Sequence, residues 1–367
     1  MAPVLFFDCG DHGFYRSNDA VRIYKSKSEQ LITDKRKDMK LGIAGSGKIV
    51  NEFLSNKGDL KGLTLSAVWG RTPEKLTELA EKFGIERTYT DYDRMLASDI
   101  DSVYVALPNH LHYAYAKRAL EAGKDVVLEK PFTMTEKTAR ILFDIAEENG
   151  ACLFEAVTNQ YTPDFRKIRE LLPRLGTVRM VQGNYSQYSS RYDSFREGTM
   201  LPAFDPAAGG GALGDINIYN IHMTVGLFGA PEKTTYYPNM QNGSDTSGVL
   251  LLEYPGFTAV LTGAKDSDSD PFFMIQGEDG WIRQNTSPGT CGNFNIHLSN
   301  GWHQHYDLSG TTFRMIPEWE AFIDGAGRNR ALHLHMKSHT LDVMRVLDEA
   351  RASAGILPAE ETDPFVS

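Results

Sequence analysis

Three short stretches of the chain carry side chains that could do chemistry together. In Glu129-Lys130-Pro131 a carboxylate and an ammonium stand directly before a proline. Proline biases the residue before it toward an extended or turn conformation. A lysine presented that way can hydrogen-bond a hydroxyl, donate a proton or lower a neighbour's pKa. The same pair could also be an ordinary surface ion pair. In the second stretch Asp215, Tyr219 and His222 fall at i, i+4 and i+7. On a helix over 212–226 they would share one face, with Asn217 and Asn220 pointing elsewhere. Such a stripe suits proton transfer; it would equally suit two satisfied core residues and a capping Asp215. The third stretch, Gly45-Ser46-Gly47-Lys48-Ile49-Val50, is a G-x-G turn. Glycines there let the backbone turn tightly beside a pyrophosphate, and a following helix offers free N–H groups to the anion. Val50 stands where a third Gly or Ala would complete the fingerprint.

The elements that must hold these residues can be read from periodicity. From Met39 onward strands and helices alternate: a strand at 41–44, a helix at 48–56, a strand at 63–69 and a helix at 73–83 closed by Gly84. The pattern continues with strands at 101–107, 125–128 and 152–156, and helices at 113–122 and 135–149. Alternation of this kind predicts a parallel sheet with helices on both faces, an α/β dinucleotide-binding domain over 39–157. Lys130 then lies just beyond a strand's carboxyl end, where ligands of open α/β sheets bind. After a helix at 165–172 the pattern turns to consecutive strands at 178–188, 248–254, 258–264, 272–277, 281–284 and 293–298. This predicts an α+β domain over 158–335 with an open, mainly antiparallel sheet, interrupted by a helix near 211–228. Further helices are expected at 314–325 and 336–354, the last packing back as part of a 336–367 segment. Residues 1–38, polar and mixed in charge, are expected to be an extension outside the fold.

Composition narrows the partners. Among 367 residues, 38 Lys and Arg face 48 Asp and Glu, a net charge of −10. The chain is acidic and has no dense Lys/Arg run, which argues against nucleic acid and anionic membrane. No apolar stretch approaches a membrane span. Cys9, Cys152 and Cys291 are scattered, which suggests a reducing compartment, and the cytoplasm is the expectation. Several histidines, among them the alternating pairs His303/His305 and His333/His335, lack the acid or cysteine spacing of a metal site, and none is expected. The second strand ends Trp69-Gly70-Arg71-Thr72 with no carboxylate at its tip. An acid there would bind the ribose hydroxyl of NAD, whereas Arg71 and Thr72 suit the extra phosphate of NADP. The expectation is NADP, with NAD as the alternative; Arg71 could also be a solvated loop charge.

Together these segments resemble the Gfo/Idh/MocA family of nicotinamide-dependent sugar and polyol oxidoreductases. The glycine loop 42–50, the turn Leu107-Pro108-Asn109-His110-Leu111-His112, the segment 123–131 and the glycine-rich 209–222 follow the family's order and spacing. The resemblance runs from about Met39 to Pro358. It implies that Lys130, Asp215 and Tyr219 are the catalytic group. Tyr219 would exchange the hydroxyl proton, Lys130 would hold the reacting oxygen or itself act as base, and Asp215 would bind a neighbouring hydroxyl. Tyr219, where many relatives carry His, resembles the branch with glucose–fructose oxidoreductase and dimeric dihydrodiol dehydrogenase. His222 sits where several relatives carry Asp. Gly45, Ser46, Gly47, Lys48, Ile49, Arg71 and Thr72 would hold the dinucleotide. Leu107, Pro108, Asn109, His112, Glu129 and Lys130 would line its nicotinamide end, with Glu155 close by. Arg191, Tyr192, Asp215 and His222 would meet the substrate. A homodimer or homotetramer through the open sheet is implied as well. Two other functions fit the same motifs: a glycoside-cleaving enzyme that recycles bound NAD, and a dinucleotide sensor, against which the proton-active trio argues.

Overall fold

The computed structural model describes residues 38–58, 60–325 and 330–365. The expectation for residues 1–38 falls, Asp38 apart, outside the described residues. The first apolar runs form β1 (Met39–Ala44), β2 (Leu63–Trp69), β3 (Arg87–Tyr89), β4 (Ser102–Val105), β5 (Asp125–Glu129) and β6 (Leu153–Ala156). All pair in parallel, in the order β3-β2-β1-β4-β5-β6. Their connections carry α1 (Lys48–Asn56), α2 (Pro73–Phe83), α3 (Tyr92–Leu96), α4 (His112–Glu121) and α5 (Glu136–Glu148). Both faces of this sheet are covered. Val103 and Val105 enter one apolar cluster and Tyr104 the other; Val126 and Leu128 likewise oppose Val127. The strand pleat produces that alternation, and only helices on both sides can satisfy it. The order reverses between β1 and β4, so the turns after those strands flank a crevice.

The second sheet has eight strands in the order β14-β13-β12-β11-β7-β10-β9-β8. They are β7 (Val178–Ser186), β8 (Lys233–Gln241), β9 (Ser244–Tyr254), β10 (Phe257–Ala264), β11 (Phe272–Gly277), β12 (Gly280–Gln284), β13 (Phe294–Leu298) and β14 (His303–Tyr306). Every neighbouring pair is antiparallel except β7 with β10. The remaining helices are α6 (Pro163–Leu171), α7 (Tyr192–Arg196), α8 (Ile218–Phe228), α9 (Ile316–Gly325) and α10 (Arg330–Ser353). Both sheets belong to one compact unit.

The helix expected over 212–226 differs in its first turn, where Leu213–Asn217 is π-helical before α8 begins. Such turns are frequent at functional sites. The seat of this turn and of α8 explains Asn217 and Asn220. Asn217 Nδ2 donates to the Leu261 carbonyl at 3.4 Å. Asn220 Nδ2 donates to the Thr262 carbonyl at 3.0 Å and to Asn217 Oδ1 at 2.8 Å. Strands β7 and β10 leave recesses for them at Gly183 and Gly263. A Cβ at Gly263 would come within 2.6 Å of Asn217 Cβ, and one at Gly183 within 2.5 Å of Asn220 Oδ1. Helix α10 contacts α8 and β8 as well as α5 and β6, joining the two sheets.

Candidate active site

Lys130 follows β5 directly, and its ammonium reaches across to the π-helical turn. Its Nζ donates to Asp215 Oδ1 at 2.9 Å and to the Asp215 carbonyl at 2.8 Å. It also lies 5.0 Å from the centre of the Tyr219 ring. The turn is fixed from behind by buried Asp245, which accepts from Leu213 N–H at 2.7 Å and from the Tyr236 hydroxyl at 2.9 Å. Tyr219 is fixed through its carbonyl, which accepts from Asn159 Nδ2 at 2.9 Å. The other Asp215 oxygen, Oδ2, is 2.7 Å from Lys265 Nζ. Lys265, just after β10, is almost fully buried; it donates to the Ala203 carbonyl and lies 4.4 Å from the Phe204 ring centre.

The electrostatics follow from this packing. Burial alone would raise the Asp215 carboxyl pKa, but Lys130 and Lys265 hold it well below the usual carboxylate range. Burial alone would lower the Lys130 ammonium, but Asp215, Tyr219 and Glu129 outweigh it and raise it. Lys130 is thus a fixed cation. Burial raises the Tyr219 phenol, while Lys130 and Arg314 pull it back. The net effect leaves the Tyr219 phenol above its ordinary value, but a negative oxygen formed here would meet cations.

The edge beside this group fits a dinucleotide. Gly45 is buried with φ at +122°, and a Cβ there would come within 2.4 Å of the Ala106 carbonyl oxygen. Gly47 caps α1 without a side-chain hydrogen bond, and the first turn has no acid, so its N–H groups face outward uncompensated. Ser46, Lys48 and Ile49 border that opening. Asn51, which sequence reasoning passed over, supports the loop by donating to the carbonyls of Ser46 at 3.3 Å and Gly47 at 3.0 Å. Arg71 and Thr72 are exposed at the tip of β2, Pro108 is exposed and Leu107 half-buried. Asn109 donates to the Gly209 carbonyl at 3.0 Å, tying this turn to the glycine-rich segment, and caps no helix. Glu129 is buried and accepts from the Tyr104 hydroxyl; burial raises its carboxyl pKa.

Three of the expected residues lie in the interior. His112 is fully buried, and its ring nitrogens lie 2.9 Å from the carbonyl oxygens of Pro131 and Leu107. It staples two turns of the edge together from behind and does not line the opening. His222 is also fully buried, with Nδ1 2.9 Å from His339 Nε2 and Nε2 3.4 Å from Glu155 Oε1. Helix α10 covers this end of the stripe, so His222 is enclosed rather than exposed at the opening. Glu155 is buried there too, accepting from the Thr340 hydroxyl at 2.8 Å, and is no part of the opening. Arg191 is exposed, and Tyr192 donates to Gln241 Oε1 at 2.7 Å with its ring 5.8 Å from Phe204. Lys265, Asp245 and Arg314 were missed because isolated residues of these types carry no spacing signal. No group of three or more potential metal ligands occurs among the described residues, nor any helix long and apolar enough to cross a membrane.

A dinucleotide-type glycine turn, a parallel sheet and a lysine–aspartate–tyrosine group at its carboxyl edge define a nicotinamide-dependent oxidoreductase. Residues 39–157 match the oxidoreductase family with an NAD-binding Rossmann fold, and residues 165–283 match the GFO/IDH/MocA C-terminal domain. The chain belongs to the Gfo/Idh/MocA oxidoreductase family. It is 35% identical over 333 residues to scyllo-inositol 2-dehydrogenase (NADP(+)) IolU of Bacillus subtilis (strain 168), covering 88% of this chain and 99% of that one. It is 28% identical to trans-1,2-dihydrobenzene-1,2-diol dehydrogenase of Xenopus tropicalis over 74% of this chain and 82% of the relative. The same fold occurs in KijD10, a 3-ketoreductase from Actinomadura kijaniata in complex with NADP and TDP-benzene. That match has a TM-score of 0.74 and 24% identity, covering 86% of this chain and 98% of the other.

Proposed function

We propose that this protein is an NADP-dependent dehydrogenase that oxidises a hydroxyl of a sugar, polyol or related alcohol, or reduces the matching carbonyl. The observation that carries the reading is the junction of Lys130, Asp215 and Tyr219 beside the edge that fits a dinucleotide. IolU, similar over nearly its whole length, is named for NADP and an inositol, which supports both cofactor and substrate class. The nicotinamide, when bound, supplies the hydride acceptor or donor. The chain supplies the rest. Gly45, Ser46, Gly47, Lys48 and Ile49 receive the pyrophosphate on the α1 N-terminus, and Arg71 with Thr72 receives the phosphate that distinguishes NADP. Leu107, Pro108, Asn109 and Glu129 shape the nicotinamide end. Lys130 holds the reacting oxygen and stabilises negative charge on it. Tyr219 takes the hydroxyl proton during oxidation and returns it during reduction. Asp215, ionised, accepts a hydrogen bond from a neighbouring substrate hydroxyl. Arg191 and Tyr192 form the outer rim.

The outer face of the second sheet leaves Met180, Tyr237 and Val249 exposed. A second copy covering it would give a homodimer or, by pairing dimers, a homotetramer. The cytoplasm, where scattered thiols stay reduced, is the proposed compartment. The test is nicotinamide absorbance on mixing protein, NADP and pooled sugars and polyols. Reduced cofactor appearing in proportion to product supports the reading. Sugar cleaved without net cofactor change would overturn it.

A further inference from the structure

Lys265 has no part in the proposed reaction, although a lysine this deeply buried is costly to place. Its surroundings define its state. The ammonium has a carboxylate at 2.7 Å, the carbonyl of Ala203 as a second acceptor and the face of Phe204 at 4.4 Å. Burial lowers the Lys265 pKa, and Lys130 adds to that, while the carboxylate opposes the fall and the carbonyl and ring face also favour the charged form. Asp215 therefore lies between two lysines, with Oδ1 on Lys130 and Oδ2 on Lys265. Pinning each oxygen from a different side fixes the carboxylate plane. It also makes two ammonium groups share one negative charge.

We propose that Lys265 is a positioning residue of the active site. It orients Asp215 toward substrate, and by occupying half of that carboxylate it leaves the trio with a surplus positive charge beside Tyr219. With Lys130 and Asp215 alone, the pair would be neutral and would stabilise a developing oxyanion less. With Lys265 present, the Lys130 charge is only partly compensated and remains available to the reacting oxygen. The other groups facing this cluster are Glu129 at the end of β5, Tyr219 on α8, Tyr185 on β7, Asp245 on β9 and Arg314 before α9. The inference rests on the proposed dehydrogenase reading for its catalytic meaning, but its charge arrangement can be tested without cofactor or substrate.

The first readout is the phenol titration of Tyr219 in cofactor-free protein. It is followed by ultraviolet absorbance within milliseconds of alkaline pH jumps, with the Tyr219→Phe signal subtracted. Lys265→Met should raise the Tyr219 midpoint by about one pH unit, and Asp215→Asn should lower it by a similar amount. The second readout is kinetic: Lys265→Met should lower kcat about tenfold or more while NADP affinity stays within about twofold, and Lys265→Arg should restore part of the loss. An unchanged Tyr219 midpoint in Lys265→Met overturns the proposal. Where Lys265→Met does not fold, an unchanged midpoint in Asp215→Asn overturns it instead. A shifted midpoint in a protein that oxidises no alcohol would leave the charge arrangement standing and refute only the dehydrogenase reading.

Discussion

Replacing Lys130 by Met should remove turnover while preserving the cofactor site. Methionine matches the lysine stem in length, so the packing beside Pro131 is kept and only the ammonium is lost. That ammonium lies 5.0 Å from the Tyr219 ring centre. At this separation and an effective dielectric of about 20, its attraction for a full negative charge is about 3 kcal/mol. Such a loss corresponds to about 10²-fold in rate, and removal of an oxyanion donor commonly costs about 10²–10³-fold. The variant should therefore lose kcat/KM by about 10²–10³-fold, mostly in kcat, because the charge acts on an oxygen that becomes negative only during reaction. The acidic, ascending limb of its oxidation pH profile should move to higher pH, since Tyr219 keeps the rise from burial and loses a cation that opposes it. The assay is steady-state nicotinamide absorbance with the alcohol found in the pool, together with NADP titration by calorimetry. A kcat/KM loss below about tenfold would refute the assignment of Lys130 to the reacting oxygen. A parallel loss of NADP affinity would show that the lysine acts on the cofactor instead.

Arg71→Ala should raise KM for NADP about tenfold while changing KM for NAD by less than about threefold, and equal changes would remove Arg71 from phosphate recognition. Gly263→Ala drives a methyl into Asn217, which has no room to retreat between helix and sheet. It should cost about 1–3 kcal/mol in urea unfolding and depress kcat, and a neutral result would mean the helix can lift freely. Glu318 is fully buried, neither carboxyl oxygen has a hydrogen-bond partner among the described residues, and burial together with Glu129 raises its pKa well above the usual carboxylate value. A raised folded-state pKa gives stability that is present below the unfolded pKa and is lost as pH rises. Glu318→Gln should therefore raise Tm relative to the parent by an amount that grows from weakly acidic to weakly alkaline pH, and a constant difference would contradict the buried-acid account.

The parts of the site legible in the sequence were those encoded locally. The glycine turn, the Lys130–Pro131 step and the Asp215–Tyr219 spacing each depend on neighbours within one turn or strand end, and the structure brings Lys130, Asp215 and Tyr219 together. Lys265 was illegible because its partner lies 50 positions earlier, and nothing in Ala264-Lys265-Asp266 marks the lysine as buried. The burial of His112 and His222 was illegible as well. Their chemistry suggested function, but the turn at Pro131 and helix α10, elements distant in sequence, close over them. Strand β8 was missed because Pro238 interrupts its pattern, as an edge strand tolerates. Strand β14, His-Gln-His-Tyr at the opposite edge, is mostly exposed and has too little apolar content to announce itself.

The seating of Asn217 and Asn220 against Gly183 and Gly263 has a consequence for how this site can vary. An apolar helix face can slide or roll on a sheet by small amounts, and its side chains drift with it. Polar groups lodged in two backbone gaps admit no partial slide. Shifting by one residue would rotate α8 about 100° and carry Tyr219 away from Lys130 altogether. The helix is indexed, like a dial with a single detent. New substrate preferences can then arise by exchanging the side chains around the opening, because Tyr219 stays in register throughout such changes.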